Sequence, residues 1–266
     1  MTQQCWESPL RRRLMAGEPV VGVTISTTSL DVAARLATLG FDLLWIEMEH
    51  SPITLETLRN IVLATRGLPA VPLARVPVNE LWVAKRVLDA GVHGVIFPFT
   101  STPALAQQAA QACRYPPIGR RGSGAGLATS CWPEPDCYHD SADRNVTVVV
   151  MIEEASALEH VDQIAATPGV DVVFLGTGDL SFSFGLRGRQ DDARLVAAAE
   201  AVVTAARHHG KVAGTVIGSA AEARQRIEQG FRFLQSVSDL VLMEAGAREL
   251  LAPLGRGAGQ VAKPLY

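Results

Sequence analysis

A short apolar segment, followed by polar or small residues and then by a helical stretch, recurs along the chain of 266 residues. Residues 41–50 show the pattern most clearly, because residues 43–46 form an unbroken apolar run that is too short for a helix. Such a run is typical of a strand that is buried on both faces of a parallel sheet. Pro52 and Thr54 follow, and Thr54 can cap a helix that begins at Leu55.

The pattern predicts eight strands that alternate with eight main helices. The strands are predicted at about residues 20–25, 43–47, 70–75, 94–98, 147–152, 171–175, 212–216 and 232–237. The helices are predicted at about residues 29–39, 54–66, 79–90, 102–112, 155–166, 191–209, 219–229 and 239–251. Gly40, Gly91 and Gly230 stand at helix ends, where glycine is the usual C′ residue. Regular alternation without a linker predicts a single α/β domain over residues 1–266, a closed (β/α)8 TIM barrel. A doubly wound open sheet is the alternative.

The connection between predicted strands four and five is unusually long. Residues 114–145 are rich in Gly, Pro, Ser and Cys and show little helical periodicity. Long loops in compact domains are usually functional or mobile, so we expect this one to cover the mouth of the barrel if it leaves from the catalytic face. A short surface helix is predicted near residues 11–14, and an extended arm is predicted after Leu251.

Composition and charge argue against several classes of protein. Apolar residues make up 48% of the chain and charged residues 19%, which argues against disorder. The net charge of -3 argues against a dominant role in binding nucleic acid or an anionic membrane. The N-terminus lacks the apolar region of an export signal, and no apolar run approaches the roughly 18 residues that span a bilayer. We therefore expect a cytoplasmic protein.

The cysteines are expected to be free thiols, because no export signal is present. They are Cys5, Cys113, Cys131 and Cys137. Cys131 and Cys137 lie near His139 and Asp140, but the spacing of the two cysteines does not fit a zinc knuckle. This spacing argues against a zinc site.

Ionisable residues cluster where the predicted strands end. In a barrel these ends converge on one mouth, which is where such folds keep their catalytic residues. The residues there are Glu47, Glu49, His50, Arg75, Phe97, Pro98, Glu153, Glu154, Gly176, Thr177, Gly178 and Asp179. Buried charges are costly unless they are solvated, paired or bound to a metal ion. No lysine stands at a predicted strand end, which argues against Schiff-base chemistry.

Glu153 and Asp179 form the best candidate metal pair. Two carboxylates from adjacent strands suit an octahedral ion such as Mg2+ or Mn2+, with substrate and water completing the coordination. The alternative is that Glu153 caps the helix after it and that Asp179 caps the turn after it.

Three further side chains are candidates for chemistry. Arg75 can bind a carboxylate through two hydrogen bonds, or it can form an ion pair with Glu47 or Glu49, and both can be true. His50 is a candidate general base near neutral pH. Asp89 ends a helix, which is an unfavourable position for an acid. It either pairs with a histidine of another strand or subunit or is a solvated surface acid.

Two other features need no functional role. Gly122, Gly124 and Gly126 lack the preceding strand and the following Gly-Lys-Ser/Thr of a phosphate-binding loop, so a flexible loop is the better interpretation. His208 and His209 close a long helix, where cationic side chains are favourable.

Six segments resemble, in their order and spacing, the signatures of one family. They are WIEMEHSP at 45–52, RVP at 75–77, VLDAG at 87–91, YPPIGRRG at 115–122, MIE at 151–153 and FLGTGDLS at 174–181. From about residue 10 to 250 the chain resembles the 4-hydroxy-2-oxoheptanedioate / 2-dehydro-3-deoxyglucarate aldolase family. These are metal-dependent class II pyruvate aldolases.

The resemblance implies a role for each matching residue. Glu153 and Asp179 match the metal ligands, and Arg75 matches the arginine that holds the pyruvyl group and stabilises its enolate. His50 matches the histidine of the catalytic base, and Asp89 matches its acidic partner. The divalent ion would be Mg2+ or Mn2+, with Co2+ as a further candidate.

The chain also departs from the family pattern near the implied site. The backbone of Gly176, Thr177 and Gly178 matches the segment that lines the pyruvate carboxylate, although Thr177 replaces a common proline. The other departures are Glu47 for aspartate beside Arg75, Met151 for glutamine beside the metal, and Cys131 for arginine in the loop expected to meet the aldehyde. The identity of the aldehyde is therefore open.

The resemblance implies reversible cleavage of a 4-hydroxy-2-oxo acid to pyruvate, or a related 2-oxo acid, and an aldehyde. It also implies a barrel with a swapped C-terminal helix, assembled as dimers that form hexamers, and acting on small molecules without nucleic acid or membrane partners. Oxaloacetate decarboxylation, or a specialised C–C condensation as in relatives of macrophomate synthase, would use the same enolate. A barrel that binds a 2-oxo acid without catalysis is the alternative from another class.

Overall fold

The computed structural model describes residues 6–133 and 138–256. The strands are β1 (Val20–Ile25), β2 (Leu43–Glu47), β3 (Val71–Arg75), β4 (Gly94–Phe97), β5 (Thr147–Ile152), β6 (Val172–Leu175), β7 (Val212–Val216) and β8 (Phe233–Ser238). All eight are parallel to their neighbours and close into a barrel in sequence order, with β1 paired to β8. The predicted barrel is therefore confirmed, and each strand begins and ends within one residue of its predicted bounds.

The helices form a layer around the strands. They are α1 (Pro9–Met15), α2 (Leu30–Leu36), α3 (Leu55–Ala64), α4 (Leu81–Asp89), α5 (Pro103–Ala112), α6 (Gly126–Thr129), α7 (Tyr138–Asn145), α8 (Val161–Ala165), α9 (Thr177–Ser183), α10 (Ala193–His208), α11 (Ala220–Gln229) and α12 (Asp239–Leu251). Two 3₁₀ helices span Ala155–His160 and Ala252–Leu254. The single helix predicted at 155–166 is thus wrong in detail, because its first half is a 3₁₀ helix. The predicted arm after Leu251 likewise begins with a helical turn.

The interior of the barrel is packed with aromatic and aliphatic side chains. Trp45 of β2 lies at its centre, and its ring is 5.0 Å from that of Phe174 and 6.4 Å from that of Phe233. Leu10 and Leu14 of α1 belong to the same buried cluster. The predicted surface helix therefore exists, but its apolar side closes the amino-terminal end of the barrel.

The long connection after α5 lies at the amino-terminal end of the strands, not over the mouth. Helices run antiparallel to the strands, so a segment that follows the end of α5 begins at the opposite end from the catalytic face. Trp132 of this connection stacks at 4.5 Å on His93, which directly precedes β4. The connection also contains α6 and α7, so its predicted lack of helical structure is wrong. The sequence pattern did not reveal α6 and α7 because both are short and consist largely of polar and small residues, so neither helix has a long apolar stripe.

The last helix exposes most of its apolar side chains. It follows β8 directly and packs against β8 and β1. The exposed residues are Leu240, Val241, Leu242, Met243, Leu250, Leu251 and, just beyond the helix, Leu254. None of the helices in the described part of the chain has the length and apolar composition needed to cross a bilayer.

Two of the four cysteines lie within the described residues. Cys113 and Cys131 are buried free thiols, as predicted. Burial raises the pKa of the Cys113 thiol to about 12. Cys5 and Cys137 lie outside the described residues, so the structure does not test the argument against a zinc site at Cys131 and Cys137.

Candidate active site

The carboxyl ends of the strands bring the predicted charged residues to one mouth. Glu47 and Arg75 are paired in register at the ends of β2 and β3. Across the barrel, the N–H of Gly176 donates to the carbonyl of Ile152 at 3.0 Å, so the ends of β5 and β6 are also held together. Glu153 and Asp179 follow these two ends.

The Glu47 carboxylate fixes the carboxyl end of β2 through hydrogen bonds. It is only 3% exposed, and its Oε2 accepts from Trp45 Nε1 at 3.2 Å and from Arg75 Nε at 2.6 Å. Its Oε1 accepts from the backbone N–H groups of Glu49 at 2.8 Å and His50 at 3.0 Å. Because both oxygens are saturated, Glu47 orients its neighbours and has little capacity left for a substrate.

Arg75 forms both of the ion pairs that the sequence left as alternatives. Besides the bond to Glu47, its Nη1 lies 3.2 Å from Glu49 Oε2. Its guanidinium carbon lies 5.9 Å from the centre of the Trp45 ring. The guanidinium is held rigidly at the mouth, and no partner of its Nη2 is recorded among the described residues.

Glu153 is buried with one oxygen unpaired. The side chain is 1% exposed, and Oε1 accepts from the backbone N–H of Phe99 at 2.6 Å. Its Oε2 is buried and has no hydrogen-bond partner among the described residues. A Cβ added at Gly176 would lie 2.9 Å from this oxygen, so the glycine lets the backbone approach the carboxylate.

Burial raises the pKa of Glu153 to about 7. Glu49 and Asp179 repel the ionised form and raise it further, whereas the Phe99 N–H and Arg75 oppose the shift. Burial also raises the pKa of Glu49, again with a contribution from Asp179. Glu49, Glu153 and Asp179 therefore lie close enough to repel one another, which is unfavourable without a neutralising group.

This arrangement fits a divalent cation that prefers oxygen ligands. An unpaired buried carboxylate oxygen is costly, and mutual repulsion adds to the cost, whereas a cation would remove both. The capping alternatives do not describe the geometry. Glu154, not Glu153, precedes the 3₁₀ helix, and Asp179 lies inside the first turn of α9. Mg2+, Mn2+ and Co2+ all accept such ligands.

His50 lies at the mouth and is partly open to solvent. Its side chain is 51% exposed, and its Nε2 lies 3.6 Å from Glu49 Oε2. Its backbone N–H is fixed by Glu47. The imidazole is thus near the charged cluster but can still exchange protons with substrate or water.

Asp89 lies far from His50 within one chain. It ends α4, at the amino-terminal side of the barrel, where its Oδ1 accepts from Arg121 Nη2 at 3.0 Å. The backbone of Gly124 packs against its other oxygen, since a Cβ at 124 would lie 2.7 Å away. The structure therefore does not bring this predicted dyad together inside a single chain.

The segment of residues 176–178 begins α9 beside Glu153. Thr177 is buried, and Gly178 is exposed at the mouth. Met151 is 3% exposed, and its Cε would lie 3.4 Å from a Cβ at Gly176, so this departure gives the site an apolar floor. Cys131, in contrast, accepts from Arg59 Nη1 at 2.8 Å at the amino-terminal end of the barrel, away from the mouth.

Phe99 is a functional residue that the sequence pattern does not single out. Its N–H binds Glu153, and its φ angle of +46° is rare for a bulky residue. The only signal in the sequence was the Phe-Pro-Phe at the end of β4, and a contact between two strand ends leaves no local pattern.

The HpcH/HpaI aldolase/citrate lyase family model matches residues 21–245. The chain belongs to this family. It is an aldolase, a carbon–carbon lyase, as the resemblance implied. It is 36% identical to a hydroxypyruvate/pyruvate aldolase of Paraburkholderia phytofirmans, over 92% of this chain and 96% of that protein. It is 31% identical to a 5-keto-4-deoxy-D-glucarate aldolase of an Enterobacter species, over 94% and 98% of the two chains.

A solved structure has the same fold. It is a HpcH/HpaI aldolase/citrate lyase family protein from Burkholderia cenocepacia, with a TM-score of 0.87 and 33% identity. The superposition covers 94% of this chain and 100% of that one. The named relatives act on different substrates, so the family defines the reaction type without defining the acceptor.

Proposed function

We propose that this protein is a divalent-metal-dependent aldolase that reversibly cleaves a 4-hydroxy-2-oxo acid to pyruvate, or a related 2-oxo acid, and an aldehyde. The observation that carries the proposal is the buried, unpaired Oε2 of Glu153 beside Glu49 and Asp179, with Arg75 across the mouth. Glu153 and Asp179 would hold Mg2+ or Mn2+. When bound, the cation supplies positive charge that stabilises an enolate.

Arg75 binds the 2-oxo acid and stabilises its developing negative charge. Glu47 and Glu49 hold Nε and Nη1, so the guanidinium needs little reorganisation when charge develops on the substrate. The backbone of residues 176–178 lies on the other side of Glu153 and would face the substrate carboxylate. The absence of a lysine at the strand ends is consistent with this mechanism rather than a Schiff base.

His50 transfers the proton of the substrate hydroxyl at its Nε2. Cleavage of the C3–C4 bond requires that this hydroxyl lose its proton as the aldehyde forms, and the half-exposed imidazole of His50 lies at the mouth, where it can accept that proton. The Glu49 Oε2 atom lies 3.6 Å from the Nε2 of His50.

Asp89 would assist His50 from a second copy of the chain. The two residues lie at opposite ends of one barrel, whereas the exposed apolar side chains of α12 provide a surface for docking between copies. This assembly, with a swapped α12 and dimers that build hexamers, agrees with the family resemblance. Mixing inactive His50→Ala and Asp89→Ala proteins should restore part of the activity, because hybrid sites then contain both residues.

Metal binding by purified variants tests the ligand assignment. Glu153→Gln and Asp179→Asn should each weaken Mn2+ binding by about a hundredfold, as measured by calorimetry. Glu159→Gln removes an exposed acid nearby and should bind Mn2+ like the wild type. Unchanged Mn2+ affinity in both ligand variants would contradict the proposal.

A further inference from the structure

The mouth of the barrel carries a strained and exposed aromatic residue. Phe99 follows β4, has a φ angle of +46° and is 43% exposed. Its neighbours in the chain fix this turn. The N–H of Thr100 donates to the carbonyl of Met151 at 3.1 Å, and the Ser101 hydroxyl donates to the Glu154 carboxylate. The turn is therefore bonded to the end of β5 on both sides of Glu153.

Glycine would suit this backbone conformation better than phenylalanine. A left-handed φ places a Cβ too close to the carbonyl oxygen, and only glycine adopts it freely. Glycine would also keep the N–H that binds Glu153. A ring that is 43% exposed gains only part of the free energy of full burial, so folding alone does not account for the phenylalanine.

We propose that Phe99 is a specificity-determining residue whose ring forms an apolar wall for the aldehyde. This proposal rests on the proposed function above. The backbone N–H of Phe99 binds the metal ligand Glu153, so the ring is within reach of a molecule bound at the mouth. In the described segments that follow the strands, Arg75 would hold the 2-oxo acid, and the other arginines are Arg187 and Arg189, which are exposed in the loop after α9. The acceptor class is therefore an aldehyde with an apolar substituent.

The test compares two acceptors in Phe99→Gly and Phe99→Leu. The ratio of kcat/KM for benzaldehyde over glycolaldehyde should fall about tenfold in Phe99→Gly and be largely kept in Phe99→Leu, which retains an apolar side chain. Arg187 is a matched control, because its φ is +51° in the loop after α9. Arg187→Gly should leave the ratio unchanged.

Each outcome of this experiment is decisive. A ratio within twofold of the wild type in Phe99→Gly would overturn the proposal, and so would a change in oligomer mass that accounts for the loss. Exchange of the pyruvate methyl protons is followed on the same samples without aldehyde. If the wild type shows aldol activity and exchange but the ratio does not change, only the role of Phe99 fails. If the wild type shows neither, the proposed function itself fails.

A second cluster of ligating side chains lies on the outer layer of helices. His209 Nε2 and His208 Nδ1 lie 2.9 and 3.4 Å from the same oxygen of Asp162, and the three ligand atoms lie within 4.8 Å of one another. The two histidines stand at the carboxyl end of α10, where the helix dipole favours a cation. The cluster is separate from the mouth, because that end of α10 lies at the opposite side of the barrel.

The geometry points to a binding site for a zinc-like transition-metal ion at Asp162, His208 and His209. Donor atoms around a tetrahedral Zn2+ lie about 3.3 Å apart when the bonds are about 2.0–2.1 Å, and the two observed separations bracket this value. Two imidazoles and one carboxylate favour Zn2+, Ni2+ or Cu2+ over Mg2+, which prefers oxygen ligands. Solvent exposure leaves the remaining position to water.

Native mass spectrometry in excess Mg2+ tests this site with Zn2+ as the probe. The wild type should bind one more Zn2+ per chain than His208→Ala, and His139→Ala, which removes an exposed histidine of α7, should match the wild type. Added Zn2+ should also raise the melting temperature of the wild type more than that of His208→Ala. Equal zinc stoichiometry in the wild type and His208→Ala would overturn the assignment.

Discussion

The two ends of this barrel both bury ionisable groups, but they stabilise them differently. At the amino-terminal end, His93 stacks on Trp132, and the Arg121 guanidinium lies 4.7 Å from the Tyr115 ring and 5.6 Å from the Tyr138 ring. Aromatic faces there cover a neutral imidazole and a delocalised cation. The charge of Arg121 is stabilised by these rings and by the Asp89 carboxylate, which accepts from its Nη2 at 3.0 Å.

At the carboxyl end the buried groups are carboxylates that repel one another. Glu153 has an unpaired oxygen, and Glu49 and Asp179 raise its pKa further. No aromatic face compensates an anion in this way, and Arg75 only partly offsets the repulsion, so a bound cation or protonation of Glu153 is needed to remove it. We conclude that the aromatic packing at the amino-terminal end serves stability and that the mouth is built for a ligand.

The largest effect is expected from Arg75→Ala. It removes the cation that stabilises the enolate and leaves Glu47 and Glu49 without their partner, so kcat/KM should fall by about a thousandfold or more. Steady-state kinetics of a retro-aldol assay would measure this loss. Arg86→Ala removes an exposed arginine of α4 and should keep wild-type kinetics. If the Arg75→Ala enzyme kept more than a tenth of the wild-type kcat/KM, the assignment of the mouth as the catalytic site would be contradicted.

Trp132→Ala should reduce stability rather than the catalytic rate. It removes a ring that is 2% exposed and contacts His93 and Tyr138, so the free energy of unfolding should fall by about 3 kcal/mol or more. Trp82→Ala, at a 57% exposed ring, should change it by less than about 0.5 kcal/mol. Urea denaturation would measure both. If Trp132→Ala remained as stable as the wild type but lost catalysis, the assignment of this aromatic packing to stability would be wrong.

The two ends should also respond to pH with opposite signs. The pKa of Glu153 is raised from 4.5 to about 7 by burial, so its contribution to stability is full below pH 4.5 and is lost as the pH rises toward 7. The pKa of His93 is lowered from 6.5 to about 4 by burial. Its contribution is full above pH 6.5 and is lost as the pH falls toward 4. Each contribution is at most about 3 kcal/mol.

Urea denaturation between pH 4 and 8, with EDTA or with Mg2+, separates these contributions. Glu153→Gln should remove the loss of stability between pH 4.5 and 7, and bound Mg2+ should suppress it in the wild type. His93→Gln should remove the loss below pH 6.5 and leave the upper range unchanged. A pH dependence that neither substitution alters would contradict both assignments.

The sequence predicted the barrel well because its strands are continuous apolar runs with local signals. It also assembled Glu47, Glu49, Arg75, Glu153 and Asp179 at one mouth, because parallel strands in a barrel share their carboxyl end. It could not predict which oxygen stays unpaired, since that depends on bonds between strand ends. Phe99, whose N–H binds Glu153, was missed for the same reason.

The sequence left open at which end of the barrel the long connection after α5 lies. Its composition indicated a functional loop, but its side of the barrel follows from the element that precedes it. Because α5 returns the chain to the amino-terminal end, Trp132 packs on His93 and Cys131 packs on Arg59. Asp89 lies at that end too, so its pairing with His50 requires a second copy.

The central claim is that the carboxylates and Arg75 at the mouth generate a pyruvate enolate with a divalent cation. Proton NMR of pyruvate in D2O, with the protein and either Mg2+ or EDTA, measures this through the methyl signal. We predict that the signal decays with Mg2+ in the wild type and persists with EDTA or in Glu153→Gln. A signal that persists with Mg2+ in the wild type, or decays equally in Glu153→Gln, would contradict the account.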